Sequence, residues 1–209
     1  MARGRFISLE GGEGAGKSTQ LAALAEVLEG RGLRVVVTRE PGGSPGAEAI
    51  RRLLLEGDET RWNPRAEALL FAAARSDHVA TTILPAIERG EWVVSDRFLD
   101  SSLAYQGEAG GLGIDAVRDL HRFGSDDFLP DRTLLLTLDE AEGAARARTR
   151  DGSSGDRIGS RPPSYHAAVE AGFRTMAQRE PDRVKLIDAS GPAATVTARL
   201  LYALGDLLP

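Results

Sequence analysis

The sequence predicts an α/β fold, a five-stranded parallel sheet with helices on both faces. Three observations carry that prediction. Five short apolar or β-branched runs are spaced along the chain. Helical patterns fall between them and after the last one, and glycines and prolines mark the joints. Strands that alternate with helices build βαβ units, and such units close into a parallel sheet covered on both sides.

Each element has its own reason. Arg5–Glu10 (RFISLE) reads as the first strand. A glycine-rich stretch follows, then a helix over Ser18–Glu29 with Leu21, Leu24 and Leu28 in register, ended by Gly30 and Gly32. Leu33–Thr38 (LRVVVT) is a β-branched run and reads as a buried strand. Arg39–Gly46 (REPGGSPG) holds too many prolines and glycines to be anything but a loop. Ala47–Leu55 reads as a helix. Asn63 and Pro64 pair an N-cap with a first-turn proline, so a long helix starts there and runs to Gly90, bent or broken near Pro85. Glu91–Asp96, Arg132–Asp139 and Arg183–Ala189 supply the third, fourth and fifth strands. No repeat or linker divides residues 1–209, which read as one domain. The Gly/Ser/Arg-rich stretch Arg148–Ser164 is too polar for a core. It reads as a mobile lid, spanning about 146–163, or as a disordered loop.

Composition narrows the function. A hydrophobic fraction of 42% is enough for a real core. A net charge of −5 argues against a surface that coats nucleic acid, while leaving room for a local basic pocket. Without cysteine there is no disulfide framework and no thiolate chemistry. The opening MARGRFISLE lacks the apolar run of a signal peptide, and no run reaches the ~18 apolar residues of a membrane span. The expectation is a cytoplasmic protein with no membrane or nucleic-acid partner.

The first motif is a phosphate loop. Gly11, Gly16, Lys17 and Ser18 have the G-x-x-x-x-G-K-S spacing, after a strand and at the start of a helix. Glycines let backbone N–H groups converge on phosphate oxygens, and the helix N-terminus adds the positive end of its dipole. Gly11, Gly12, Glu13, Gly14, Ala15, Gly16, Lys17, Ser18 and Thr19 are therefore the candidate ATP-binding residues. Lys17 is expected on the β/γ-phosphates and Ser18 on Mg²⁺. Glu13 is an oddity, a carboxylate inside a cradle for anions. The motif alone does not name a reaction. No Asn-Lys-x-Asp-like run follows a later strand, which argues against a GTPase, and WVVSDR ends in Asp-Arg rather than two acids. The chain is also short for a motor. A compact kinase with a small acceptor fits best.

The acceptor side starts where a core strand ends, the place where open α/β sheets bind ligands. There Asp96 and Arg97 put a carboxylate and a guanidinium beside the phosphate loop. Arg97 can clamp an acceptor phosphate or bridge donor and acceptor oxygens, and Asp96 can accept from water on Mg²⁺. A structural salt bridge is the other reading of that pair. Phe71 and Arg75 are four apart on the long helix, so they share a face. A ring beside a guanidinium suits a nucleobase, although each residue taken alone also reads as core or solvated surface. Tyr105 and Gln106 equally suit an ordinary loop.

Together these pieces resemble bacterial thymidylate kinases. The resemblance covers nearly the whole chain and rests on FISLEGGEGAGKSTQ, TREPGG, LLFAAARSDH, SDRFLDSSLAYQG and LPDRTLLLTLD. It implies transfer of the γ-phosphoryl of ATP to dTMP with Mg²⁺, in a P-loop NTPase fold with a small lid. It also implies a homodimer. Carried over by residue, Phe71 would stack on thymine and Arg75 would bond its carbonyl. Gln106 and Ser102 would meet the base edge, and Tyr105 would crowd a ribose 2′-hydroxyl. Arg97 and Arg39 would hold the acceptor phosphate, Arg51 and Pro41 would line the pocket, and Glu13 would accept from the 3′-hydroxyl. The phosphate loop lacks the arginine that some members carry, so the resemblance is to the type whose lid supplies it. Arg157 matches the lid pattern, with Arg148 and Arg150 as the other catalytic candidates. Gly159 stands where family lids often place an acid. Another small P-loop kinase, or a catalytically silent ATP-binding module, remains open at this point.

Overall fold

In a computed structural model of the chain, residues 3–58, 60–138 and 157–209 are described. Five strands, β1 (Phe6–Glu10), β2 (Val35–Arg39), β3 (Trp92–Asp96), β4 (Arg132–Thr137) and β5 (Val184–Asp188), form one sheet in the order β2-β3-β1-β4-β5. Every neighbouring pair is parallel. All five expected strands are present, within a residue or two of their expected ends. The described part of the expected fourth strand stops at Thr137, and Asp139 lies outside the described residues.

The sheet is covered on both faces, and the alternation of its side chains decides which helix goes where. Phe6, Val93 and Leu135 point to one side, into a core shared with Val79, Ile83, Leu103, Val117 and Phe173. Their neighbours Ile7, Val94 and Leu134 point to the other side, against Leu24, Leu28, Val196 and Leu200. A strand buried on both faces reads as an unbroken apolar run, which is why FISLE and WVVS were legible as strands.

The helices start where the sequence caps them. α1 (Lys17–Gly30) begins directly after Gly16, whose φ is 84°. α2 (Pro45–Leu55) is capped by Ser44, which accepts from Ala47 N at 3.3 Å. α3 (Pro64–His78) is capped by Asn63, whose Oδ1 accepts from Ala66 N at 2.9 Å. The expected bend near Pro85 takes a definite form. A π-helical turn, Val79–Ile83, joins α3 to α4 (Leu84–Glu88). Pro85 has no N–H to donate, and a wider turn just before it spares the helix a break. A second such turn, Leu103–Ala109, extends α5 (Leu99–Ser102). α6 (Ile114–Ser125), α7 (Pro163–Arg179) and α8 (Ala193–Ala203) complete the described helices.

Candidate active site

The carboxyl ends of β1, β2 and β3 lie side by side, so the segments that leave them meet. After β1 the chain turns through Gly11, whose φ is 138° and where a Cβ would fall 2.5 Å from the Leu136 carbonyl oxygen. Only glycine fits there. Lys17 Nζ donates to the carbonyls of Gly11 at 3.0 Å and Gly12 at 2.8 Å, which folds the side chain along the loop. Burial, followed by the nearby Arg97 charge, pushes its ammonium pKa down to about 7. Ser18 Oγ donates to Asp96 Oδ2 at 3.3 Å. The two expected metal-side oxygens therefore sit together, one from α1 and one from β3. Thr19 is exposed at the start of α1.

Beyond Asp96 the backbone enters the left-handed region at Arg97, with φ of 71°. Its neighbours hold it there. Arg97 N donates to Leu9 O at 2.9 Å, and Phe98 N donates to Glu10 Oε1 at 2.8 Å. Ser101 Oγ donates to Glu10 Oε2 at 2.6 Å and accepts from Arg97 Nη1 at 3.0 Å. Burial, then the charge of Asp100, raises the Glu10 carboxyl to about 8. The Arg97 guanidinium also lies 5.1 Å from the centre of the Tyr105 ring.

A cavity of about 120 Å³ opens beside this turn. It brings together nine of the ten residues expected on the acceptor side: Glu13, Pro41, Arg51, Phe71, Arg75, Arg97, Ser102, Tyr105 and Gln106. Arg39, the tenth, lies outside it, exposed and held by both oxygens of Glu48 at 3.1 and 3.2 Å. Arg51 Nη1 donates to Pro41 O at 2.6 Å, which ties α2 to the loop after β2. Arg75 is not a solvated surface residue. Its Nε donates to Glu40 Oε2 at 2.8 Å and its Nη2 to Ser102 Oγ at 2.6 Å. Glu40 Oε1 meets His78 Nδ1 at 3.1 Å, and His78 Nε2 meets Thr38 Oγ1 at 2.7 Å.

The lid candidates divide. Arg157 is buried, and its described side-chain bonds go to α2 and α3, from Nε to Leu54 O at 2.8 Å and from Nη2 to Glu67 Oε2 at 2.7 Å. Arg148 and Arg150 lie outside the described residues. Ile158 lines the same cavity as Arg97, and Gly159 faces Glu13, where a Cβ would fall 2.6 Å from Glu13 Oε1. A second cavity, of about 440 Å³, runs from Gly11–Glu13 and Ala15 to His166, Glu170 and Arg174 of α7. Among the described residues no group of three His, Asp or Glu side chains could cage a metal. Ser18 with Asp96 is instead the sparse oxygen set that suits Mg²⁺, which keeps waters and takes its remaining ligands from phosphates.

Sequence reasoning missed four buried acids: Glu10, Glu40, Glu67 and Asp100. Glu10, Glu40 and Asp100 each lay inside a motif already quoted, whereas Glu67 carried no such signal.

The family model described as thymidylate kinase matches residues 9–200. The chain belongs to the thymidylate kinase family. A thymidylate kinase from Rhizorhabdus wittichii is 62% identical over 99% of both chains. One from Rhodopseudomonas palustris is 50% identical over 97% of this chain and 89% of its own. A crystal structure of thymidylate kinase from Ehrlichia chaffeensis superposes with a TM-score of 0.77 at 30% identity, covering 97% of this chain and 99% of that one. The thymidylate kinase assignment covers fold and activity together: a P-loop NTPase sheet that phosphorylates dTMP with ATP. It does not favour another small kinase or a silent ATP-binding module. No helix among the described residues is long and apolar enough to cross a membrane.

Proposed function

We propose that dTMP lies in the cavity beside Arg97, with its base between Phe71, Arg75 and Gln106 and its phosphate toward the phosphate loop. The observation that carries this reading is the single cavity that gathers Glu13, Phe71, Arg75, Arg97, Tyr105 and Gln106. Gly11 to Thr19 cradle the ATP phosphates, with Lys17 on the β/γ-phosphates. An oxygen of the dTMP phosphate attacks the γ-phosphorus in line, and ADP leaves. No general base is needed, because a phosphate monoester with a second pKa of about 6 is already mostly dianionic at pH 7. Lys17, Arg97 and an arginine from the lid at 146–163, within a single domain spanning 1–209, balance the charge on the transferred group. Arg148 and Arg150 are candidates for that arginine, and Arg157 is one only by leaving Leu54 O and Glu67. Ser18 and Asp96 would hold Mg²⁺, directly or through water. When bound, it neutralises charge on the phosphate oxygens. Glu13 faces the acceptor sugar, and Arg39 reaches the acceptor phosphate only by leaving Glu48.

Initial rates with ATP and dTMP, dUMP, dCMP, AMP or thymidine test the acceptor assignment. Turnover of dTMP far above the others, lost when Arg75 is changed to Ala, supports it. An unchanged KM for dTMP in Arg75→Ala removes the base from this cavity.

The same reading includes a cytoplasmic homodimer. Supporting it, α3 and α6 pack side by side and carry Leu69 and Phe123, the latter 94% exposed. Sedimentation of the wild type and of Phe123→Asp tests the dimer. A wild-type monomer at micromolar concentration rejects it.

A further inference from the structure

Glu67, Phe71 and Arg75 are spaced by four along α3 and share one face. Phe71 and Arg75 line the acceptor cavity. Glu67 lies one turn behind them, 2% exposed, in the wall of an outer cleft lined by Trp62, Pro64, Arg161 and Tyr165. Gln106 lines both spaces.

Three donors converge on the Glu67 carboxylate. Oε2 accepts from Arg157 Nη2 at 2.7 Å and from Arg161 Nη2 at 2.6 Å. Oε1 accepts from Gln106 Nε2 at 2.9 Å. A carboxylate between two guanidiniums only accepts, so the nitrogen end of the Gln106 amide must face it. The amide oxygen then points the other way. Among the described residues it meets no donor. It is left as an acceptor for a ligand.

We propose that Glu67 is a positioning residue for base selectivity. It fixes Gln106 with its oxygen toward the acceptor cavity, so the pocket takes a base that offers an imide N–H and refuses one with a bare ring nitrogen. Thymine has that N–H. Cytosine presents a lone pair at the same ring position, and lone pair against lone pair leaves both groups unpaired in a buried site. Arg157 and Arg161 keep Glu67 in place from the opposite side. They come from the stretch that also carries Ile158 into the cavity wall, so the roof of the pocket and the orientation of its base reader share one carboxylate. The proposal rests on the acceptor assignment above.

The test is a comparison of kcat/KM for dTMP and dCMP, with ATP, in the full chain and in Glu67→Gln. An amide at position 67 can donate or accept, so Gln106 can present either end. We expect the dTMP preference to fall by about tenfold or more, mainly through KM, because a site built to bond one group rejects its mismatch strongly. A merely structural role would lower both acceptors alike and leave the ratio unchanged. A ratio within about twofold of wild type overturns the proposal. A second measurement needs no variant: the side-chain amide protons of Gln106, followed by NMR in the wild-type protein. One of them should be protected from solvent exchange before dTMP is added and stay so afterwards. Free exchange, or protection that appears only with dTMP, overturns the proposal even if Glu67→Gln does not fold. Arg75→Ala separates the two failures. A raised KM for dTMP there, with the dTMP:dCMP ratio kept in Glu67→Gln, rejects only the role of Glu67, whereas an unchanged KM for dTMP in Arg75→Ala rejects the acceptor assignment itself.

Discussion

Arg75 and Glu40 form a buried ion pair, Nε to Oε2 at 2.8 Å, with side chains 2% and 5% exposed. The pair joins α3 to the loop after β2. It aims the Arg75 guanidinium of α3 while the second oxygen of the acid holds His78. Removing one partner of such a pair strands a charge away from water. Glu40→Ala should therefore cost about 3–5 kcal/mol of stability. It should also raise KM for dTMP more than it lowers kcat, since Arg75 loses its aim. Chemical denaturation and steady-state kinetics check both. Unchanged KM in a folded variant would sink the link between Glu40 and acceptor binding.

Lys17 gives a pH dependence with a defined sign. Its pKa is lowered to about 7, so the free protein loses the ammonium as pH rises through that value. The charge proposed to meet the ATP phosphates goes with it. kcat/KM for ATP should fall above about pH 7, approaching tenfold per pH unit, while kcat holds to higher pH because bound phosphate restores the proton. A profile of kcat/KM for ATP that stays flat to about pH 9 would show that Lys17 does not titrate there.

Glu10 should make stability fall with rising pH. Its carboxyl sits at about 8 in the folded protein against 4.5 ordinarily. Between those values the folded chain holds a proton that the unfolded chain has released. The stability that this proton brings is complete below about pH 4.5 and lost as pH rises through about 8. Glu10→Gln should flatten this part of the pH dependence of Tm. A wild-type and variant curve of equal slope across the window would refute the assignment. The same variant should weaken Arg97, which shares Ser101 with Glu10.

Gly159→Ala tests the contact with Glu13. The new methyl would fall 2.6 Å from Glu13 Oε1, the far end of a flexible side chain. The carboxylate can swing aside, so Tm should change little, while KM for dTMP rises severalfold if Glu13 meets the sugar. Binding of dTMP measured calorimetrically decides it. Unchanged affinity would remove Glu13 from the acceptor side.

The fold was legible because its signals are local. FISLE, WVVSD and RTLLLT are apolar on both faces, and Asn63-Pro64 caps a helix within a few residues of itself. The phosphate loop and the pair Phe71 and Arg75 were legible for the same reason, a fixed spacing on one element. The buried acids were not. Glu10 finds Ser101 91 positions away, and Glu67 finds Arg157 90 positions away. Before folding, each is one charged residue among apolar neighbours, with nothing beside it to name a partner. Arg157 illustrates the converse: its place in a motif marked it for the transfer site, and the described contacts engage it with Glu67 and the end of α2.

The π-helical turn at Val79–Ile83 also sets a register. Such a turn carries one residue more than an α-helical path needs. Winding the same residues as a regular α-helix would rotate everything after the turn by about 100°. Ile87, 2% exposed, would move to the exposed side that Glu88 now holds. Arg75 and His78, upstream, would keep their places. The extra residue is therefore what keeps Ile87 facing the core while Arg75 lines the cavity.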